Sequence, residues 1–448
     1  MPETLEPAAA TASDTEVISA PGPVPAGADD PAARRTAAAS DASAPGGVPG
    51  AWAATKRAWD RVPESLRESV LPFLVARVVV LGALGIAHFV VDRTHPSTPG
   101  VAARVHAGLL GWDAGWYESI ARVGYAPLGR QSLRFFPALP ALTHGLAWLG
   151  LGDGPALVLL ANAAAFAATA MLYVLVRRET GDRALARRSL WVLSLLPSAL
   201  VLVMGYAESL LLVFAIGCFL ALRPPAGAEA VTTGDGHAAV RGVVARPHFV
   251  WAAVLAFAAA LTRPIGVLLV LAVAAELVRW WQRLGRHERV AGLAALAAPF
   301  VGVVAFLAWA KHEVGDWWAP LRVQLENSHH GGLSDPVSTL YHDATGLVHH
   351  HVGTALHVPW VILAVAMVVV CWRRLPAPYT LFSAAVVATA LAGSNLDSFE
   401  RYALSAFPLS IAGALLLREP QVERTVLTLL AAGLAGYALL AFLNISVP

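Results

Sequence analysis

Charge is what this sequence has least of. Only 14% of its residues are Asp, Glu, Lys or Arg, against 57% hydrophobic, whereas soluble globular proteins carry about a quarter charged residues. So few charges cannot solvate the surface of a water-soluble chain of 448 residues. Cysteine is nearly missing too. Cys218 and Cys371 both lie inside apolar runs, which argues against a disulfide framework or a cysteine-built zinc site. The chain begins Met1-Pro2-Glu3 and has no early apolar run, so its start does not read as a signal peptide. Residues 1–50 are rich in Ala, Pro, Gly and Ser and almost free of large apolar side chains. Such a stretch buries too little surface to offset its ordering entropy, and residues 1–55 are expected to form a disordered cytoplasmic tail. The formal net charge of +2 says little about partners, because what matters is how charge divides between the two faces; no nucleic-acid partner is expected.

What is present is a series of apolar blocks about as long as a helix needs to cross a ~30 Å hydrocarbon core. Eleven spans are expected: 71–91, 156–176, 187–203, 206–222, 249–261, 264–281, 290–310, 359–372, 378–393, 403–417 and 424–444. The fold class is therefore all-α, a polytopic transmembrane helical bundle over residues 56–448. Lys56, Arg57, Arg61 and Arg67 precede the first span and place the N-terminus inside. The block 136–151 is short and interrupted by Pro137 and Pro140. If it does not cross, 22 of the 32 lysines and arginines face the cytoplasm and nine face outward, in keeping with the positive-inside rule. It is read as a helix on the outer leaflet. The first extracytoplasmic loop is then 92–151 and a second large one is 311–358, while the Gly- and Ala-rich segment 223–248 is a cytoplasmic connector. No fixed-period or inverted repeat is evident.

Polar chemistry is concentrated in Gly111-Trp112-Asp113-Ala114-Gly115-Trp116-Tyr117-Glu118 and the residues that lead to Arg134-Phe135-Phe136-Pro137. Five of the nine outward cations fall in this first loop: Arg93, Arg104, Arg122, Arg130 and Arg134. A cationic cluster against the membrane suits an anionic headgroup such as a lipid phosphate, and solvation of a surface loop is the plainer alternative. Asp113 could be a helix N-cap. On a helix starting there, residues 113, 116, 117 and 120 share a face, so Trp116 and Tyr117 would flank the carboxylate. Aromatic rings beside an acid suit sugar binding, although Trp and Tyr also anchor membrane interfaces. Glu118 lies off that face.

The pattern Trp112-Asp113-Ala114-x-x-Tyr117-x-x-Ile120-Ala121-x-x-Gly124-Tyr125, followed by Arg134-Phe135-Phe136-Pro137-x-x-Pro140, resembles the first-loop signature of the PIG-V-type mannosyltransferases. Shorter likenesses are Pro197 through Tyr206-Ala207-Glu208-Ser209-Leu210, Thr262-Arg263-Pro264-x-Gly266, and Arg401-Tyr402 followed by Phe407-Pro408. Together they run from about residue 70 to 420. The family adds the second mannose in GPI-anchor assembly and has bacterial relatives. The resemblance implies the GT-C class, multi-span transferases that act on the outer face of the cell membrane. The donor would be a polyprenyl-phosphate sugar, usually mannose, and the acceptor a lipid, glycan or protein hydroxyl. It also implies inverting single displacement with Asp113 as base and arginines or histidines stabilising the phosphate that leaves. Gly115 and Trp116 stand where relatives often carry polar residues or His, which leaves the acceptor open.

Further binding candidates are Trp112, Arg134, Glu208, Arg263, Arg401 and Tyr402. Arg263 and Arg401 fall at outer turns, where they could bind phosphate or snorkel; Glu208 near a span end could serve the site or pair with an arginine. Arg77, inside the first span, needs an acidic or carbonyl partner. The second loop holds His329, His330, His342, His349, His350, His351 and His357 with Asp335 and Asp343. Their spacing matches no metal motif, and no metal or cofactor is expected. Trp317-Trp318 could be an interface anchor or a sugar platform. The alternative readings are a transporter or flippase of lipid-linked saccharides, with Asp113 as a gate, and a ligase or polymerase using the same donor.

Overall fold

The computed structural model describes residues 59–95, 100–223, 246–326, 332, 334–346, 357–394, 396 and 398–445. The chain divides into residues 1–61 and 62–448. Of the first unit only the helical residues 59–61 are described, so the expected tail 1–55 lies outside the described residues, as does most of the connector 223–248.

The second unit is helical, with no strand among the described residues. In chain order its α-helices are α1 (Glu64–Thr94), α2 (Val101–Ala107), α3 (Asp113–Val123), α4 (Ala138–Ala147), α5 (Asp153–Thr180), α6 (Arg183–Leu195) and α7 (Glu208–Leu222). There follow α8 (Phe249–Thr262), α9 (Leu269–Trp280), α10 (Arg286–Val314), α11 (Ala319–Gln324), α12 (Pro336–Gly346) and α13 (Val358–Arg374). The chain closes with α14 (Ala377–Leu391), α15 (Phe399–Ser405), α16 (Pro408–Leu416) and α17 (Pro420–Phe442). Five segments are long and apolar enough to cross a membrane: α1, α5, the run Pro264–Arg283, α10 and α17. The architecture is that of a helical membrane protein.

The eleven apolar blocks are helical, but proline cuts some of them. The residue before a proline is pushed out of the α region, so α6 stops at Leu195 and Leu196 turns extended ahead of Pro197. The block 403–417 is split between α15 and α16 just before Pro408. Helix α4 has 10 residues, a rise of about 15 Å, too short for a ~30 Å core. Trp148 and Leu149 just beyond it are 81% and 77% exposed.

Helix α1 shows how the bundle is sorted. Ala76, Val80, Ala83, Ala87 and Val91 form a buried stripe at helical spacing, while Leu71, Leu74, Val78, Leu81 and Phe89 face out. The small side chains are the inward ones, as expected where close packing rather than water drives association. The same logic joins α8 to α10. A Cβ on Gly302 would fall 2.8 Å from the carbonyl oxygen of Phe257, so only glycine permits that approach. Phe219 at the centre meets Tyr379, Phe382 and Phe407 with ring centroids 4.8, 5.8 and 5.1 Å away.

Arg77 finds carbonyl-type partners within the bundle. It donates to the Asn162 side-chain oxygen at 2.9 Å and to the Leu202 carbonyl at 2.7 Å, and its guanidinium lies over the Phe73 ring at 3.5 Å. Asn162 in turn donates to the Val203 carbonyl at 2.9 Å. These bonds satisfy the carbonyls left over where the turn at 197–202 departs from α geometry, so Arg77 holds α1 to the irregular backbone beneath the site.

Candidate functional site

Asp113 is positioned by a break in the backbone. After the 3-10 turn Gly108–Leu110, Trp112 takes φ 57° and ψ −130°, a conformation a bulky residue adopts only when its surroundings hold it there. They do: the Trp112 indole N–H donates to the Ala441 carbonyl at 3.0 Å, and the Arg104 guanidinium covers its ring at 3.8 Å. Asp113 is the first residue of α3, and its backbone N–H donates to the Tyr206 hydroxyl at 3.3 Å. Its side chain caps nothing. One carboxylate oxygen meets Arg401 Nη1 at 2.6 Å and the other meets Arg134 Nη2 at 3.4 Å.

Each arginine comes from a different element. Arg134 ends the 3-10 segment Arg130–Arg134, and its carbonyl accepts from Gln324 Nε2 at 3.5 Å. Arg263 is extended because Pro264 follows it, and it pairs with Glu208. Arg401 sits on the short helix α15, where its Nε is 3.4 Å from the same Glu208 oxygen. Tyr402 is ringed by cations, with the Arg263 and Arg401 guanidinia 4.8 and 5.6 Å from its centroid. Glu208 is the first residue of α7 and 1% exposed, where the positive end of the helix dipole favours its charge. Three guanidinia against two carboxylates leave one cation in excess.

These groups border a cavity of about 360 Å³ lined by Asp113, Tyr117, Arg134, Arg263, Arg401 and Tyr402, with Phe135, Phe136 and Ile265 among its apolar walls. The Asp113 side chain is 23% exposed and Arg134 22%, whereas Arg401 is 9%. Burial alone would raise the Asp113 carboxyl, but Arg401 and Arg134 outweigh it and hold the group below the usual carboxylate range. Burial alone would lower Arg401; the Asp113 charge outweighs that and raises it. Burial pushes the Tyr117 phenol up to about 12, so it stands as a neutral hydrogen-bonding wall.

The structure brings Asp113, Tyr117, Arg134, Arg263, Arg401 and Tyr402 to one cavity, with Glu208 beneath them. Trp112 and Trp116 are placed elsewhere. Trp112 serves the backbone anchor just described, and Trp116 stacks on Phe135 with centroids 5.7 Å apart. Phe135 stands edge-on to Tyr117 at 5.0 Å, so of the two rings expected beside Asp113 only Tyr117 lines the cavity. Glu118 points to the N-terminal end of α5, where a Cβ on Gly154 would come within 2.9 Å of its carboxylate. Tyr206, Gln324 and Thr389 were not singled out by sequence. Tyr206 lies in a quoted motif, but nothing marks Gln324 or Thr389, which the fold brings in from afar.

Most of the histidine-rich loop lies outside the described residues. This holds for His329, His330, His349, His350 and His351 and for the side chains of His342 and Asp343. His357 is buried and meets Glu400 at 2.8 Å, and Tyr437 donates to the other Glu400 oxygen at 3.2 Å. Trp317 and Trp318 are 43% and 59% exposed, away from the cavity lining. No protein-family model matches the chain, and no curated protein matches it.

Proposed function

We propose that this protein is an integral-membrane glycosyltransferase of GT-C type. It moves a sugar, mannose by its resemblance to the PIG-V-type enzymes, from a polyprenyl-phosphate donor to an acceptor hydroxyl at the extracytoplasmic face. The observation that carries the reading is one partly exposed carboxylate in contact with Arg401 and Arg134 on a cavity of about 360 Å³ that Arg263 also lines. A sugar phosphate brings the complementary set: an anion for the arginines and an electrophilic carbon for an oxygen nucleophile activated by the acid.

In the proposed reaction the acceptor hydroxyl gives its proton to Asp113 as its oxygen bonds to the anomeric carbon. The carbon–oxygen bond to the lipid phosphate breaks, and the phosphate departs with the electron pair. Arg134, Arg263 and Arg401 stabilise that charge in a partly buried site, where such donors count most. Tyr117 and Tyr402 supply ring faces for the sugar.

The geometry also gives the steps an order. Asp113 cannot act as a good base while both its oxygens face guanidinia. A donor phosphate competes for Arg134 and Arg401, and as they turn to it the carboxylate becomes more basic. Donor binding thus prepares the base before the acceptor is used. Incubating membranes that contain the protein with radiolabelled polyprenyl-phosphate mannose tests the activity. Label should move to a product resistant to the mild acid that cleaves the donor; label that crosses the bilayer still attached to its carrier means a flippase instead.

A further inference from the structure

A second charged site lies at the other end of the bundle. The run Pro264–Arg283 starts at the Asp113 cavity and has 20 residues, a rise of about 30 Å. Its far end therefore reaches the opposite face, where the turn into α10 carries Arg279, Arg283, Arg286 and Arg289. An open groove of about 780 Å³ is lined there by Leu277, Val278, Arg279, Trp281, Gln282 and Arg283. Val278 is 77% exposed and Trp281 39%, so apolar surface and cations are presented together.

Both carboxylates near this turn are engaged. Glu276 is fully buried and bonded to Arg223, with Arg279 at 3.8 Å. Glu288 accepts from the Gly285 backbone N–H at 2.7 Å and from Arg246 at 2.8 Å. Arg283, Arg286 and Arg289 have no carboxylate partner among the described residues. Two of them are held against rings: Arg289 donates to the Trp281 carbonyl at 3.1 Å and lies 5.1 Å from the ring centroid, and Arg283 lies 5.7 Å from that of Trp280.

We propose that this groove binds the headgroup of an anionic phospholipid in the leaflet opposite the Asp113 site. The guanidinia take the phosphate oxygens, and Val278 and Trp281 lie along the glycerol and the first acyl carbons. Basic pockets at helix ends recognise anionic lipids by this combination of charge and interfacial apolar surface. The site is independent of the sugar-transfer reading and stands or falls separately.

The test is native mass spectrometry of the full chain, loaded in detergent with phosphatidylglycerol or phosphatidylcholine. The wild-type protein should keep phosphatidylglycerol preferentially. Arg283→Gln, in the groove lining, and Arg289→Gln, beside the Trp281 ring, should each lower that preference about fivefold. Arg283→Gln removes a ring contact only, and an unchanged helical circular-dichroism spectrum verifies its fold. The control is Arg373→Gln/Arg374→Gln at the end of α13, which starts beside Glu400 and runs 17 residues to the same face as the turn; it should leave the preference intact. Equal retention of the two lipids by the wild-type protein overturns the proposal. So does an equal loss in the control, which would indicate surface potential alone, or displacement of phosphatidylglycerol by inorganic phosphate, which would indicate a free-anion site.

Discussion

The Asp113 carboxylate lies 2.6 Å from Nη1 of Arg401, a contact between the start of α3 and the short helix α15, 288 positions further along the chain. It ties the proposed base to a proposed phosphate ligand and makes the state of one depend on the other. Arg134 holds the second carboxylate oxygen, and Arg401 is shared with Glu208 beneath. A phosphate cannot enter this arrangement without redistributing its protons and its pairs.

That coupling is measurable without an acceptor. Titration with a polyprenyl monophosphate at pH about 4 should take up more protons in the wild-type protein than in Asp113→Asn, because the ordinary Asp pKa is near 3.9 and Asp113 rises toward or beyond it as the arginines turn away. Isothermal titration in buffers of different ionisation enthalpy reads the uptake. Asp113→Asn should bind the phosphate more tightly and lack this extra uptake; the same proton change in both proteins places the proton elsewhere.

Rate profiles should separate in the same way. The acid limb of kcat/KM reports the free enzyme and should lie below pH about 4, since Arg401 and Arg134 hold Asp113 down. The acid limb of kcat reports the substrate complex and should lie at higher pH. The stability sign follows from the same depression: the pairing is fully stabilising above the unfolded carboxylate pKa, and this contribution is lost as pH falls through the lower folded value. Coincident limbs in kcat and kcat/KM contradict the release of the arginines.

Glu208 is the buried counter-charge for Arg263 and Arg401. Glu208→Gln leaves two guanidinia facing each other with one carboxylate lost, and breaking a buried pair of this kind costs about 3–5 kcal/mol. Thermal unfolding in detergent should show the loss, with a large drop in transfer. Arg401→Lys should also be poorly tolerated, because a single ammonium cannot span Asp113 and Glu208 as the guanidinium fork does.

The Thr262-Arg263-Pro264-x-Gly266 stretch has a steric explanation. A Cβ on Gly266 would fall 2.4 Å from the carbonyl carbon and oxygen of Ala259, backbone atoms that cannot rotate aside. Gly266→Ala should push the Arg263–Pro264 turn off α8 and destabilise by about 1–3 kcal/mol. Gly145→Ala inside α4, with nothing within 4 Å of the new carbon, should leave transfer unchanged and raise the melting temperature slightly through its better helix propensity.

The sequence made the helical membrane architecture legible because apolar block length is a direct consequence of bilayer thickness. The loop carboxylate and the arginines were legible because charge is so scarce that each instance stands out. Arg134, Arg263 and Arg401 were named for separate reasons, and the fold brings all three to Asp113. Less legible were the interruptions. Backbone at Trp112 and Arg263 leaves the α region where it borders the site, as irregular backbone at membrane depth does when it lines a cavity. Trp116 was misleading because a helical wheel gives the face of α3 but not its neighbour; Phe135, which takes that ring, arrives from beyond the helix. Gln324 and Thr389 carry no local signal, since only tertiary packing brings them to the cavity.

The central claim is that Asp113 removes the acceptor proton. Its most direct test is transfer from radiolabelled polyprenyl-phosphate mannose by membranes carrying equal amounts of the wild-type protein or Asp113→Asn, the nearly isosteric change that removes the base. Loss of a general base lowers the rate by about 10²–10⁴-fold, and that loss is predicted while insertion and thermal stability persist. Transfer by the Asn variant at the wild-type rate would contradict the account.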